Sequence, residues 1–379
     1  MIYLDAAATT LEKPETVARA MADAVYTMSS PGRGNYPASR LAEETAFRCR
    51  SEAAELFAVE SPEQVIITAN ATHGLNIAIR SLVKPGSRVI LSGYEHNAVT
   101  RPLHAIEGVE LVVIDTPLFC PQELLQELDA ALKTGADAVI CTHVSNVFGY
   151  ILPMAEIAEL CHVRGVPLIV DASQSAGLLP VSLAEWKAAY IAMPGHKGLY
   201  GPQGTGLLLC GSEHAEPLLR GGTGSASRSQ EMPADLPDRL EAGTHNMPGI
   251  AGLLAGIRFV RWRGTDHICS YERQLVHRAA GQLEMIPGMR VYKSEDAAQQ
   301  TAVLSFAVSG MSCEAIGEAL AEKGAAVRAG LHCAPLAHRT AGTLDGGTIR
   351  LSPSLFNTPE QIDRFCGLMR RVFRETAKI

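Results

Sequence analysis

One pattern repeats between positions 65 and 170: a short apolar run, a turn, then a stretch with apolar residues at helical spacing. The apolar runs fall at 65–68, 88–92, 110–114, 137–142 and 167–170, with helical patterns near 75–83, 96–106, 121–133 and 154–164. Short apolar runs bounded by turns read as strands buried on both faces, and strands alternating with helices predict a mostly parallel sheet covered by its crossovers. The fold class is α/β.

The flanks extend this plan. Helices are expected over 11–29 and 38–57, separated by a loop, SPGRGNYP, at 30–37. Positions 211–246 are rich in Gly, Ser and Pro. Beyond them, helices over 247–263 and 267–284, strands at 302–308, 326–328 and 348–351, and a helix over 313–323 read as a small α/β lobe. The last helix has Thr358 as N-cap, Pro359 at N1 and Gln361 at N3, with Ile362, Phe365, Met369 and Val372 on one face. A chain of 379 residues exceeds one typical domain. The expected division is a large lobe over 15–250 and a small lobe made of 1–14 and 251–379.

Composition removes several function classes. No apolar run approaches the ~20 residues of a membrane helix, and MIYLDAAATT lacks the form of a secretory signal, so the cytoplasm is the default location. The net charge is −7, with no basic tract, which argues against nucleic acid or a membrane surface as partner. Nine cysteines without a C-x-x-C pair suggest neither a metal site nor a disulfide framework.

The chemistry concentrates at the ends of the apolar runs. PLIVDASQSAG ends a strand on Asp171, where open α/β sheets bind ligands. AYIAMPGHKGLYGPQGTGLL then delivers Lys197 into a loop of glycines and prolines. A lysine becomes a nucleophile toward carbonyls when burial or a nearby cation lowers its pKa, most often as a Schiff base with pyridoxal phosphate. A pyridinium nitrogen needs an anion beside it, and Asp171 can supply one. The plain alternatives are a solvated hairpin lysine and a turn-capping aspartate. ANATHGLN opens a helix whose N-terminus suits a phosphate, with Thr72 adding a hydroxyl. His96 follows the second strand and Asn146 the fourth; a helix-capping His and a turn Asn are the ordinary readings of each. Neither a dinucleotide fingerprint nor a Walker A sequence is present.

These residues, together with RLEAGTHN and RAGLHCAPL, resemble the cysteine desulfurase and selenocysteine lyase family, from YLDAAATT at Tyr3 to SLFNTPEQIDRF ending at Phe365. The resemblance implies a fold-type I pyridoxal phosphate enzyme of the class V aminotransferase group, with a seven-stranded-type sheet in the large domain. It also implies a homodimer with sites at the subunit interface. Lys197 resembles the lysine that carries the cofactor, Asp171 the partner of its ring nitrogen, and Gln174 and Asn146 the groups near its phenolic oxygen. His96 resembles the stacking, proton-handling histidine. Thr72 and His196 match phosphate ligands, Thr244 the one contributed by the partner subunit, and Arg350 the arginine that grips the substrate carboxylate beside Asn146. Cys333 matches the nucleophile that receives sulfur.

Three departures accompany the likeness: Pro194 stands where many relatives carry a phosphate-binding Ser, Gly198 is an extra residue, and Leu331-His332 replaces a paired His. The short RAGLHC loop resembles the group II enzymes. The implied reaction takes sulfur from L-cysteine to Cys333 and leaves L-alanine, with a further protein as possible sulfur or selenium acceptor. Selenocysteine lysis, another class V reaction with a structural Cys333, and a sulfur-relay scaffold are the alternatives. Cys333 is expected as a thiolate in a turn, favoured by a cationic His332 and by Arg328, whereas Cys141 and Cys210 lie within apolar strands and are expected to be inert.

Overall fold

The computed structural model describes residues 1–32 and 34–376. Arg33, inside the loop expected at 30–37, lies outside the described residues.

The chain opens with strand β1 (Ile2–Tyr3). The strands β2 (Val65–Thr68), β3 (Arg88–Ser92), β4 (Glu110–Ile114), β5 (Ala138–Thr142), β6 (Leu168–Asp171), β7 (Tyr190–Pro194) and β8 (Gly206–Cys210) form one sheet in the order β2-β8-β7-β6-β5-β3-β4. The pairs from β4 through β7 are parallel, and β8 lies antiparallel between β7 and β2. The reversal follows from connection length. A parallel pairing needs a crossover of about a dozen residues or more, and the helix-free loop at 195–205 falls short of it.

Side chains alternate between the two faces with the strand period of two. Ile191 and Met193 of β7, with Leu207 and Leu209 of β8, join the core under helices Pro37–Leu56, Pro121–Lys133, Met154–Arg164 and Met247–Arg263. Tyr190, Ala192, Leu208 and Cys210 join the opposite core, shared with helices Ala71–Leu82 and Asn97–His104. Each fully buried Leu or Ile contributes roughly 1.5–3 kcal/mol. Two covered faces explain why these strands read as unbroken apolar runs.

The rest of the chain forms β9 (Met289–Tyr292), β10 (Leu304–Val308), β11 (Ala325–Ala326), β12 (Arg328–Gly330) and β13 (Thr348–Leu351). Four of these make an antiparallel sheet, β12-β13-β10-β9, while β11 pairs in parallel with β1. The single strand expected at 326–328 is thus two, one holding the N-terminus and one entering the sheet. The last helix, Pro359–Thr376, is capped as its sequence requires. Thr358 Oγ1 accepts the Gln361 N–H and Gln361 Oε1 accepts the Thr358 N–H, both at 3.3 Å. Its Ile362, Phe365, Met369 and Val372 enter a core with Leu275, Phe306 and Ile349. Position 251 falls inside the helix Met247–Arg263, whose buried face belongs to the larger core. We propose the two-lobe division with that whole helix on the large lobe. Among the described residues no helix is long and apolar enough to cross a membrane.

One buried ion pair fastens the RLEAGTHN segment to the large sheet. Arg50 grips Glu241 with both nitrogens, at 2.7 and 2.6 Å, and Glu241 also accepts the Ile67 N–H at 2.6 Å. His245 Nε2 lies 2.7 Å from the same carboxylate. Burial pushes the Glu241 carboxyl upward, but Arg50 and the hydrogen bonds from His245 and Arg50 outweigh it and hold the group below its ordinary value. Arg50→Ala leaves that buried carboxylate with only His245 to answer its charge, so stability should fall by about 3 kcal/mol. Urea denaturation of the variant beside the wild type measures the difference.

Candidate active site

A cavity of about 230 Å³ lies where β2, β3, β5, β6 and β7 all end, the position at which open α/β sheets bind ligands. It brings together Thr72, His96, Asn146, Asp171, Gln174, His196, Lys197, Cys333 and Arg350, nine of the expected site residues, and adds Arg328 and His332. Thr244 is the exception. It is exposed and lines a separate cavity of about 190 Å³ with Thr68, Ala69 and His73.

Lys197 sits in the loop that turns β7 back into β8. Glycine is required at 198 by close approach, because a Cβ there would stand 2.4 Å from the Ala176 carbonyl oxygen, and Gly177 opposite has φ +87°. The extra Gly198 thus lets the lysine loop pack on the turn after Asp171. Burial lowers the Lys197 pKa to about 8, opposed by Asp171 and assisted by Arg350 and Arg328. No hydrogen bond or ion pair among the described residues holds its amine. The N-terminal segment clamps the neighbouring peptide: the Thr10 N–H and Oγ1 donate to the His196 carbonyl at 3.1 and 3.0 Å.

Asp171 is buried and accepts the Ser173 N–H at 2.9 Å. Gln174 Nε2 donates to the Ala7 carbonyl at 2.9 Å. The helix at Ala71 is capped by Asn70, which accepts the His73 N–H at 2.9 Å. Thr72 is therefore not the cap, and its exposed side chain borders the cavity. His196 Nδ1 is buried without a partner among the described residues, and burial lowers its pKa to about 4.

Two histidines of the site are held neutral. His96 Nδ1 accepts the Ala98 N–H at 3.0 Å, which assigns the proton of the neutral ring to Nε2. Burial holds its pKa well below the ordinary value, against the pull of Asp171 and with the help of Lys197. His332 was expected as a cation beside the reactive thiol. It is 5% exposed, its Nε2 lies 3.1 Å from the Thr348 carbonyl, and burial with Arg350 pushes its pKa to about 2, so it is neutral.

Cys333 is the one exposed cysteine of the nine. Both His332 and Cys333 have positive φ, +50° and +56°, and the Ala334 N–H closes on the Leu331 carbonyl at 2.8 Å, as in a type I′ turn. Two donors from the segments after β3 and β5 fix this turn: Asn97 N–H to the Cys333 carbonyl at 2.8 Å, and Asn146 Nδ2 to the His332 carbonyl at 2.9 Å. Asn146 Oδ1 is left buried without a partner among the described residues. Cys141 and Cys210 are buried and their thiols are pushed up by burial.

Two acids were not singled out in the sequence. Glu95 is fully buried, accepts the Thr142 N–H at 2.7 Å, and is raised to about 8 by burial. Its place beside His96 was the only available signal. Asp5 meets Arg350 at 2.7 Å, a pairing of residues 345 positions apart that no local pattern reveals.

The aminotransferase class-V model matches residues 2–365. A cysteine desulfurase of Escherichia coli O157:H7 is 32% identical over 99% of this chain and 94% of its own length. A probable cysteine desulfurase of Mycolicibacterium paratuberculosis is 30% identical over the whole chain, and a cysteine desulfurase of Synechococcus elongatus is 31% identical over 98% of it. The chain spans 56% and 60% of the length of those two relatives. Among solved structures, an apo cysteine desulfurase from Thermococcus onnurineus NA1 superposes with a TM-score of 0.89 at 28% identity, covering 98% of this chain and 94% of that one. With the fold, the cavity and the family model in agreement over nearly the full length, the chain belongs to the aminotransferase class-V family.

Proposed function

We propose that the chain is a pyridoxal phosphate-dependent cysteine desulfurase, and the observation that carries this reading is the exposed Cys333 on the rim of the cavity that holds Lys197. The residues fit the cofactor. A depressed lysine amine suits an aldehyde, a buried carboxylate at a strand end suits a ring nitrogen, and the buried unpartnered His196 Nδ1 beside the helix start at Ala71 suits a phosphate. Lys197, Asp171, Gln174, Asn146, His96, Thr72 and His196 would hold it. Pyridoxal 5′-phosphate, when bound, supplies an electrophilic carbonyl and a ring that stabilises negative charge at the substrate Cα.

The protein's own groups do the rest. With a pKa near 8, about a tenth of Lys197 is neutral at pH 7, against roughly one part in three thousand for an ordinary lysine. The same amine, once free, can take the Cα proton. His96 is neutral with its proton on Nε2, so at neutral pH it offers a hydrogen bond from Nε2 and not an acidic proton. Arg350 is 2% exposed, its Nε unpartnered among the described residues, and suits the substrate carboxylate. Cys333 Sγ, as thiolate, bonds to the substrate sulfur while the Cβ–S bond breaks and its electron pair goes to carbon. Carbon then takes a proton, so cysteine plus thiol gives alanine plus persulfide.

The dimer belongs to the same proposal. Thr244 is exposed on a loop held by the Arg50–Glu241 pair and is free to serve the cavity of a second copy.

This reading is tested at three points: the lysine, the cysteine and the dimer. Borohydride reduction of the holoenzyme should leave a pyridoxyl group on Lys197, and cofactor uptake by the apoprotein should rise about tenfold per pH unit below pH 8 and level off above it. A midpoint near 10 would mean that an ordinary lysine reacts. Cys333→Ala should keep the cofactor spectrum and lose roughly a hundredfold or more in sulfide release from L-cysteine with a dithiol present; a wild-type rate would remove the persulfide role. Sedimentation should give a dimer, and Thr244→Ala should retain cofactor less tightly on dialysis.

A further inference from the structure

Arg350 makes an ion pair with Asp5 that takes no part in the steps above. Its Nη2 meets Asp5 Oδ1 at 2.7 Å, its Nη1 donates to the Asn146 carbonyl at 2.9 Å, and its Nε is buried without a partner among the described residues. The fork is thus held at two nitrogens, with the third, Nε, unanswered beside the cavity. A buried donor left unpaired costs free energy unless a ligand answers it, which marks the Nε side as the receiving edge.

Asp5 is fixed by its backbone. It bridges Ser352, two residues beyond Arg350, in parallel register. The Ala6 N–H donates to the Ser352 carbonyl and the Ala7 N–H to Ser352 Oγ, both at 2.9 Å. Residues two apart on a strand share a face, so Arg350 and the anchor of the Asp5 segment lie on one side. The same segment accepts Gln174 at the Ala7 carbonyl and clamps His196 through Thr10.

We propose that Asp5 is a positioning residue: it presets the Arg350 fork so that the α-carboxylate of an amino-acid substrate meets a fixed edge of the guanidinium. This rests on the amino-acid reading of the site but not on sulfur chemistry. An arginine held in place before the ligand arrives loses less freedom on binding. Asp5 also offsets the charge of Arg350, so the site need not hold a bare buried cation when empty. Burial lowers the Arg350 pKa while Asp5 opposes the shift.

The test compares ligands that differ only in the carboxylate, using holoenzyme and the absorbance of its cofactor. Asp5→Ala should weaken L-alanine by about tenfold or more and leave ethylamine within about twofold, because only the former reaches Arg350. KM for L-cysteine should rise by a similar factor with kcat little changed. Asp5→Asn, which keeps an oxygen acceptor for Nη2, should recover most of the loss. Should Asp5→Ala fail to fold, Asp5→Ser, too short to reach Nη2, takes its place with the same expectations. Equal weakening of alanine and ethylamine, or no weakening of either, overturns the proposal. A wild type that binds alanine normally but releases no sulfide from cysteine would defeat the desulfurase reading and leave the role of Asp5 measurable.

Discussion

A cation taken out of water must either keep an anion beside it or give up its proton, and both solutions stand in one cavity here. Arg350 keeps its charge, with Asp5 against it. Lys197 is moved toward giving up its proton, because burial together with Arg350 and Arg328 outweighs the pull of Asp171. The two residues are therefore suited to opposite tasks, one as a fixed charge that grips and one as an amine that reacts. Much of the surrounding structure serves that contrast. The helix-free turn from β7 to β8 carries Lys197 to the cavity, and the N-terminal segment braces both residues, through Asp5 on one side and through Thr10 on the His196 carbonyl on the other.

The large sheet was legible because its signal is local. Five strands of mostly apolar residues separated by helical periods point to a mostly parallel sheet, and their ends mark where a ligand sits. The antiparallel β8 was less evident, since orientation depends on how far a loop can reach and not on the residues of the strand. Across β9 to β13 the local signal thins. β11 and β12 are separated by Val327 alone and pair with different partners, a distinction set by where the N-terminus lies. The edge strand β9 has only four residues with weak alternation, too few to stand out from a loop.

Site residues were legible wherever position along a strand fixed position in space: Asp171 at the end of β6, His96 after β3, Asn146 after β5, Lys197 after β7. Protonation was not. Residue type suggests that His96 and His332 titrate near neutrality, yet both are held neutral by burial that depends on packing from distant segments. Asp5 was hidden for a related reason, since its carboxylate acquires meaning only when Ser352 brings the first and last parts of the chain together.

The charge lost from His332 changes how Cys333 must be understood. Its thiol is not activated by an adjacent imidazolium; what distinguishes it is geometry. Two consecutive non-glycine residues at positive φ cost on the order of 1–2 kcal/mol each, and such a turn persists only where its surroundings over-determine it. Here Asn97 and Asn146 donate to the two turn carbonyls, tying the turn to the helix after His96 and to the loop after β5. His332 adds a third tie by turning inward onto Thr348, which anchors one side of the turn on β13. With His332 directed inward, Cys333 is the residue left facing outward. The side chain that would have served as a charged neighbour serves as an anchor, and the compact loop can hold a thiol at the cavity mouth without the flexible arm that a freely moving cysteine would need.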